Sequence, residues 1–282
     1  MRTVICSTIV RMRGRIRIKY LTLGFSLVAL IWYLAQSPSN DRIWTNDQEV
    51  LPSVHFQDDS IYIENIRNFS YTSTSTYTPS YYNKRVDPQS VRSVDFIVEP
   101  FGSIGAAHTF LSFGFDDGSY LAISIEIRKE IGESFSPWKG LLRQYELMYV
   151  IADERDVINL RANYRKDTVY LYPTTATREQ ARELFVDMLQ RVEKLYSTPE
   201  FYNTITNNCT TNIVRHINTL REEPLGWDHR MLFPENSDVL AQELGFIAPD
   251  MNVAEAREKY RINDKAALYK DDPYFSRLIR EK

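Results

Sequence analysis

The residues best suited to chemistry lie in the run FYNTITNNCTTNIVRHIN, residues 201–218, which holds Cys209, one of two cysteines in the chain. Asn208 is a strong N-cap residue, so the run from Cys209 reads as a helix with the thiol in its first turn. Backbone N–H groups at such a position lack intrahelical partners, and the helix dipole is positive there. Both favour a thiolate. The same N–H groups can receive the oxyanion formed when a thiolate attacks a carbonyl, with Asn207 or Asn208 as side-chain donors. A thiol nucleophile of this kind also needs a base.

The base suggested by the sequence is His108, in AHTFLSFGFDDGSYLAISIEIR, residues 107–128. This stretch reads as two strands about Asp116-Asp117-Gly118. Leu111, Phe113 and Phe115 alternate on the first strand, and Leu121, Ile123, Ile125 and Ile127 on the second. A three-residue loop pairs Phe115 with Ser119 and puts every odd position on one apolar face, whereas a two-residue loop would mix the faces and a one-residue slip flips every side chain. Gly118 suits the left-handed position such loops require. In that register His108, Ser112, Ser124 and Glu126 share the more polar face, and His108 stands opposite Glu126, whose carboxylate would orient the imidazole.

Each of these residues has a plainer reading. Cys209 also fits a small buried apolar residue, His108 a satisfied polar core residue, and Glu126 a solvent-facing charge, though the chemical reading is preferred for Cys209 and His108. His216 lies seven residues after Cys209 on roughly the same helix face. At about 10 Å of rise it is expected to be structural rather than a rival base. His55 falls in a linking segment, His229 in a loop, and ADERD (152–156) reads as a solvated turn. No zinc spacing, HExxH or glycine-rich phosphate loop occurs, so no metal or cofactor is expected.

The elements that must hold these groups follow from pattern. TREQARELFVDMLQRVEKLYS (177–197) is an amphipathic helix with a Thr177/Gln180 capping box. LLRQYELMYVIADE (141–154) has a strand-rich middle, DTVYLYP (167–173) is a strand ended by Pro173, and SYTSTSTYTPSYYN (70–83) is an edge strand or an irregular wrap. The tail reads as short helices, among them SDVLAQELGFI (237–247) capped by Ser237.

Composition bounds the class. The 282 residues are 43% hydrophobic, enough for a real core, and the net charge of −3 gives no argument for nucleic acid. Charge is unevenly placed, because a basic leader (1–19) with no acidic residue precedes the uncharged run YLTLGFSLVALIWYLA (20–35). Sixteen residues make about 24 Å of helix, short for a bilayer core of about 30 Å. A cleaved signal fits the basic start and the small residues Ala35 and Ser37. A retained transmembrane anchor fits Trp32 and Tyr33 at the far interface and is the preferred reading. Either way the remainder is exported: a polar tether (36–60), then a domain over 61–282. Cys6 then lies across the membrane from Cys209 and cannot pair with it, leaving a lone exported thiol.

Several of these blocks carry a resemblance. AHTFLSFGFDDGSYLAISIEIRKEIGESFSP, GLLRQYELMYVIADERDVINLRANYR, VYLYP, PEFYNTITNNCTTNIVRHIN and YRINDKAALYKDDPYFSRLIR together resemble the Lnb N-terminal periplasmic domain family over roughly residues 60–282. The resemblance implies lipoprotein N-acyltransferase activity, in which an acyl chain passes from a phospholipid to a thiol and then to an amine acceptor such as a lipoprotein. The order of His before Cys is similar to that of the permuted papain-like (NlpC/P60-type) enzymes. It implies an α+β fold, an antiparallel sheet with packed helices, with Cys209 as nucleophile and His108 as base; the third member, Glu126, is chosen on the register of the two strands. The implied location is the inner membrane with the catalytic domain in the periplasm. The alternatives are a papain-like cell-wall amidase or peptidase, and a non-catalytic envelope binding module.

Overall fold

A computed structural model describes residues 2–102 and 105–281, with side chains from Lys19 onward. The chain forms two compact units, Met1–Pro38 and Ser39–Lys282. The first is one helix, α1 (Arg2–Ala35). The basic leader expected before residue 20 lies, for its side chains, almost wholly outside the described residues. Among the described residues no helix is long and apolar enough to cross a membrane. The segment expected as an anchor or signal is therefore helical, while a membrane span is not established.

The second unit is built on an eight-stranded sheet. In chain order its strands, with one small separate pair, are β1 (Ser53–Gln57), β2 (Ser60–Arg67), β3 (Ser70–Tyr71), β4 (Tyr77–Thr78), β5 (Tyr81–Val86), β6 (Val91–Pro100), β7 (Ala107–Phe115), β8 (Tyr120–Arg128), β9 (Glu146–Asp153) and β10 (Tyr170–Pro173). The sheet runs β1-β2-β9-β8-β7-β6-β10, with β5 also on β2 and β3 pairing only β4. Neighbours are antiparallel except β2 beside β9. The helices that follow α1 are α2 (Pro137–Leu141), α3 (Glu154–Asn159), α4 (Arg178–Ser197), α5 (Cys209–Thr219), α6 (Ser237–Glu243), α7 (Val253–Tyr260), α8 (Asn263–Leu268) and α9 (Phe275–Leu278).

This is an α+β architecture with helices on both faces of the sheet, as a sheet apolar on both sides demands. The expected β7–β8 register holds: Phe113 pairs Leu121, the Phe115 N–H donates to the Ser119 carbonyl, and Gly118 has φ +79°. Leu111, Phe113, Phe115, Leu121, Ile123 and Ile125 pack into one core with α4 and α5. Phe110 and Ala122, on the opposite face, pack with Val157, Ile158, Ala266, Phe275 and Ile279 from α3, α8 and α9.

Three expectations are corrected. The stretch 36–60 is no free tether, because Trp44 is buried, the Arg128 Nε–H donates to the Gln48 carbonyl, and β1 joins the sheet. ADERD is no solvated turn. Glu154 and Asp156 are wholly buried, with Asp156 accepting from Arg67, the Phe69 N–H and the Tyr71 hydroxyl. Ser237 is not the cap of α6, whose N-cap position is Asn236.

Candidate functional site

Asn208 caps α5 as the sequence predicts. Its Oδ1 accepts from the Thr211 N–H at 2.8 Å, and the Thr211 hydroxyl accepts from the Asn208 N–H at 2.8 Å. The Asn208 Nδ2 group donates to the Thr204 carbonyl at 2.8 Å and to the Met231 carbonyl at 3.2 Å. Both amide hydrogens are thus committed to loops, and the side chain is a cap rather than an oxyanion donor. Asn207 is likewise engaged: its Nδ2 donates to the Phe201 carbonyl, and its Oδ1 accepts from Asn212 and Arg215. Of the donors expected at this helix start, neither side-chain amide is free, which leaves backbone N–H groups.

Cys209 is a free, buried thiol in the core formed by α4, α5 and the sheet. Its Sγ lies 3.8 Å from the Thr210 hydroxyl, which lies 3.0 Å from the Thr109 hydroxyl on β7. Burial, then the neighbouring Cys209 and Tyr145, push the Tyr202 phenol far above its usual range. The thiol's polar neighbour is thus the Thr210 hydroxyl, within a largely apolar shell.

His108 and Glu126 meet on one face, as the register requires. The Ser124 hydroxyl donates to Glu126 Oε1 at 2.8 Å and sits 2.7 Å from His108 Nε2. Because Ser124 spends its proton on Glu126, His108 Nε2–H is the donor to Ser124, which leaves Nδ1 as the lone-pair nitrogen. His108 Nε2 is 3.9 Å from Glu126 Oε1, and the ring stacks on Phe110. Arg161, from the π turn after α3, bridges Glu126 at 3.0 Å and Glu99 at 2.6 Å. Burial, and then Arg161, depress His108 to about 3, so the ring is neutral. Burial alone would raise Glu126, but Arg161, Arg67 and His108 hold its carboxyl well below the usual range. Glu99 is pushed up to about 7 by burial, against the pull of Arg161 and Arg165.

The structure does not bring His108 to Cys209. Thr109 faces α5, so its neighbour His108 faces the other side of β7, toward Phe110 and Arg161. Among the described residues no hydrogen bond joins the two side chains.

Two features were not specified by the sequence reading: the partners of His216, and a cavity. His216 is buried, with Nδ1 2.5 Å from Asp187 Oδ2 and Nε2 2.7 Å from the Tyr149 hydroxyl. It fixes α5 to α4 and β9, which agrees with the structural role expected for it; the offset Asp187 in an amphipathic helix was its only signal. The second feature is an apolar cavity of about 420 Å³ between α4, α5, α6 and the sheet. Phe96, Leu111, Leu184, Ile213, Ile217 and Leu240 line it, Thr210 borders it one residue from Cys209, and Arg221 is the charged residue on its wall. Its volume falls within the range of small-ligand sites, about 300–1,000 Å³.

Neither the curated proteins nor the solved structures contain a match to this chain. The family description of the Lnb N-terminal periplasmic domain, by contrast, fits residues 77–235, the stretch that carries β4 to β10, α2 to α5 and both Cys209 and His108. That match spans more than half of the chain, so this protein belongs to the Lnb N-terminal periplasmic domain family, which supports a periplasmic location.

Proposed function

We propose that this chain is a membrane-tethered thiol acyltransferase in which Cys209 accepts an acyl chain from a phospholipid and passes it to an amine, best fitted by the N-terminus of a lipoprotein. The observation that carries the reading is the placement of a free thiol in the first turn of α5, one residue from the border of an apolar cavity. A fatty acyl chain suits that lining, whereas a peptide would leave its backbone groups unpaired there.

In the first step the Cys209 thiolate attacks the ester carbonyl. The C–S bond forms, the ester C–O bond breaks, and the lysophospholipid oxygen takes a proton. First-turn N–H groups of α5 face the oxyanion. In the second step the amine attacks the thioester, the C–N bond forms and the C–S bond breaks, returning the thiolate while the amine's proton goes to solvent. Two easier displacements replace one difficult one. His108 and Glu126 act in this reading as positioning residues. They fix the start of β7, and the Thr109 hydroxyl on that strand meets Thr210 at 3.0 Å. The tether is the apolar run of α1.

Intact-mass measurement after incubation with phospholipid vesicles tests this. Wild type should gain one acyl chain, removed by hydroxylamine, and Cys209→Ala should gain none while keeping its fold. A thiol that alkylates readily but never acquires an acyl chain would sink the reading in favour of an amidase. A thiol inert to both would leave Cys209 as core packing.

A further inference from the structure

The segment before β1, the stretch from the end of β8 through α2, and the loop before α5 each expose large apolar side chains. Ile43, Ile131, Phe135, Trp138 and Ile205 are between 43% and 73% exposed. They are neighbours in space. The Ile131 N–H donates to the Ile43 carbonyl, the Thr204 hydroxyl donates to the Pro137 carbonyl at 2.7 Å, and Thr204 accepts from Asn208 Nδ2. The rim is also firmly built. The Tyr145 hydroxyl accepts from the Ser136 N–H and donates to the Ser134 carbonyl, and a Cβ on Gly140 would meet Thr204 Oγ1 at 2.4 Å. The apolar side chains are therefore presented on an ordered frame that adjoins the N-cap of the Cys209 helix.

Chain connectivity limits how far this domain stands from the uncharged run that precedes it. The second unit begins at Ser39, whose N–H donates to Glu146 at the start of β9, and Asn40 is tied to the end of α4. Glu146 in turn bridges Phe201, in the same loop as Ile205. The uncharged run Tyr20–Ala35 ends four residues earlier, a span of about 13–14 Å when extended. A lipid surface entered by that run would lie within this covalent reach of the domain that carries the rim. Exposed Trp with Ile and Phe is what the bilayer interface accepts and water does not.

We infer that the rim formed by Ile43, Ile131, Phe135, Trp138 and Ile205 docks on a phospholipid bilayer surface and sets the mouth of the Cys209 helix at the interface. The inference shares the tether with the proposed function but not the thiol chemistry. The full chain is placed in phosphatidylethanolamine–phosphatidylglycerol vesicles, with and without brominated acyl chains. Tryptophan emission of wild type minus that of Trp138→Phe isolates Trp138. Its signal should fall with brominated chains and resist aqueous iodide. Cys209→Ala should behave the same, which separates this result from failure of acyl transfer. Ile131→Asp with Ile205→Asp should restore the emission and the iodide access. A Trp138 signal untouched by bromine and quenched by iodide would overturn the inference. So would shielding from both, which would assign the rim to a second copy of the chain.

Discussion

The hydroxyls of Thr109 on β7 and Thr210 on α5 lie 3.0 Å apart, both buried, and fasten the first turn of the cysteine helix to the central strands. Each depends on the other, because a buried hydroxyl without a partner is destabilising by roughly 1–3 kcal/mol. Thr109→Val should therefore lower the denaturant midpoint by that margin and speed alkylation of Cys209 by loosening the turn. The double variant Thr109→Val with Thr210→Val removes both hydroxyls and should recover most of the loss. A double variant no better than the single would show that the pair is not what holds the turn.

His108 should give the fold a pH dependence that begins above the carboxylate range. Its folded value of about 3 lies below the ordinary 6.5, so the unfolded chain binds the proton first as pH falls. Stability from this group is full above pH 6.5 and declines as pH drops toward 3. Below about pH 6 the slope should approach 1.4 kcal/mol per pH unit. His108→Gln keeps a donor for Ser124 and has no such titration, so its stability should fall less between pH 6.5 and 5. Equal slopes in urea unfolding for the two proteins would refute the assignment. The same variant should also leave the pH profile of Cys209 alkylation unchanged, since the ring sits across the strand from the sulfur. A shifted profile would return His108 to the role of base.

Much of this arrangement was legible in the sequence, and the part that was not has definite causes. Alternating apolar residues and Gly118 give the β7–β8 register, and through it the His108–Ser124–Glu126 face. The Thr177/Gln180 and Asn208 caps fix where α4 and α5 begin. Side-chain identity alone does not say which sheet face receives α5. The apolar stripe of that helix, Ile213 and its neighbours, belongs with the greasier odd face, and that carries Cys209 away from His108. ADERD misleads for a different reason. Charge suggests solvent, yet Asp156 and Glu154 are paired with Arg67 and Arg280, partners distant in sequence by 89 and 126 residues. Long-range ion pairs leave no local pattern to read.

Those buried pairs should be strongly one-sided when broken. Asp156 accepts four hydrogen bonds, two of them from the buried guanidinium of Arg67. Asp156→Ala leaves that cation unpaired in the core and should destabilise the fold by about 3–5 kcal/mol. Replacing both, Arg67→Met with Asp156→Leu, should recover much of the loss, although the Phe69 N–H and Tyr71 hydroxyl still lose an acceptor. Thermal or urea unfolding of the three variants decides it. A single variant within about 1 kcal/mol of wild type would mean the pair is relaxed by water.

The cavity beside α5 should separate reactivity of the thiol from its use. Ala241 lines the cavity from α6, and Ala241→Phe would fill part of its roughly 420 Å³ without touching Cys209. Cys209 is not among the residues lining that space, so the rate of a small alkylating reagent should stay within about twofold of wild type, a change worth roughly 0.4 kcal/mol of barrier. Acyl uptake from phospholipid should fall, and more for long chains than short, because each methylene excluded from an apolar site forfeits about 0.8 kcal/mol. Donors of graded chain length, read by intact mass, distinguish the cases. Uniform loss across chain lengths would point to a distorted helix. Unchanged uptake at every length would place the acyl chain elsewhere and remove the cavity from the mechanism.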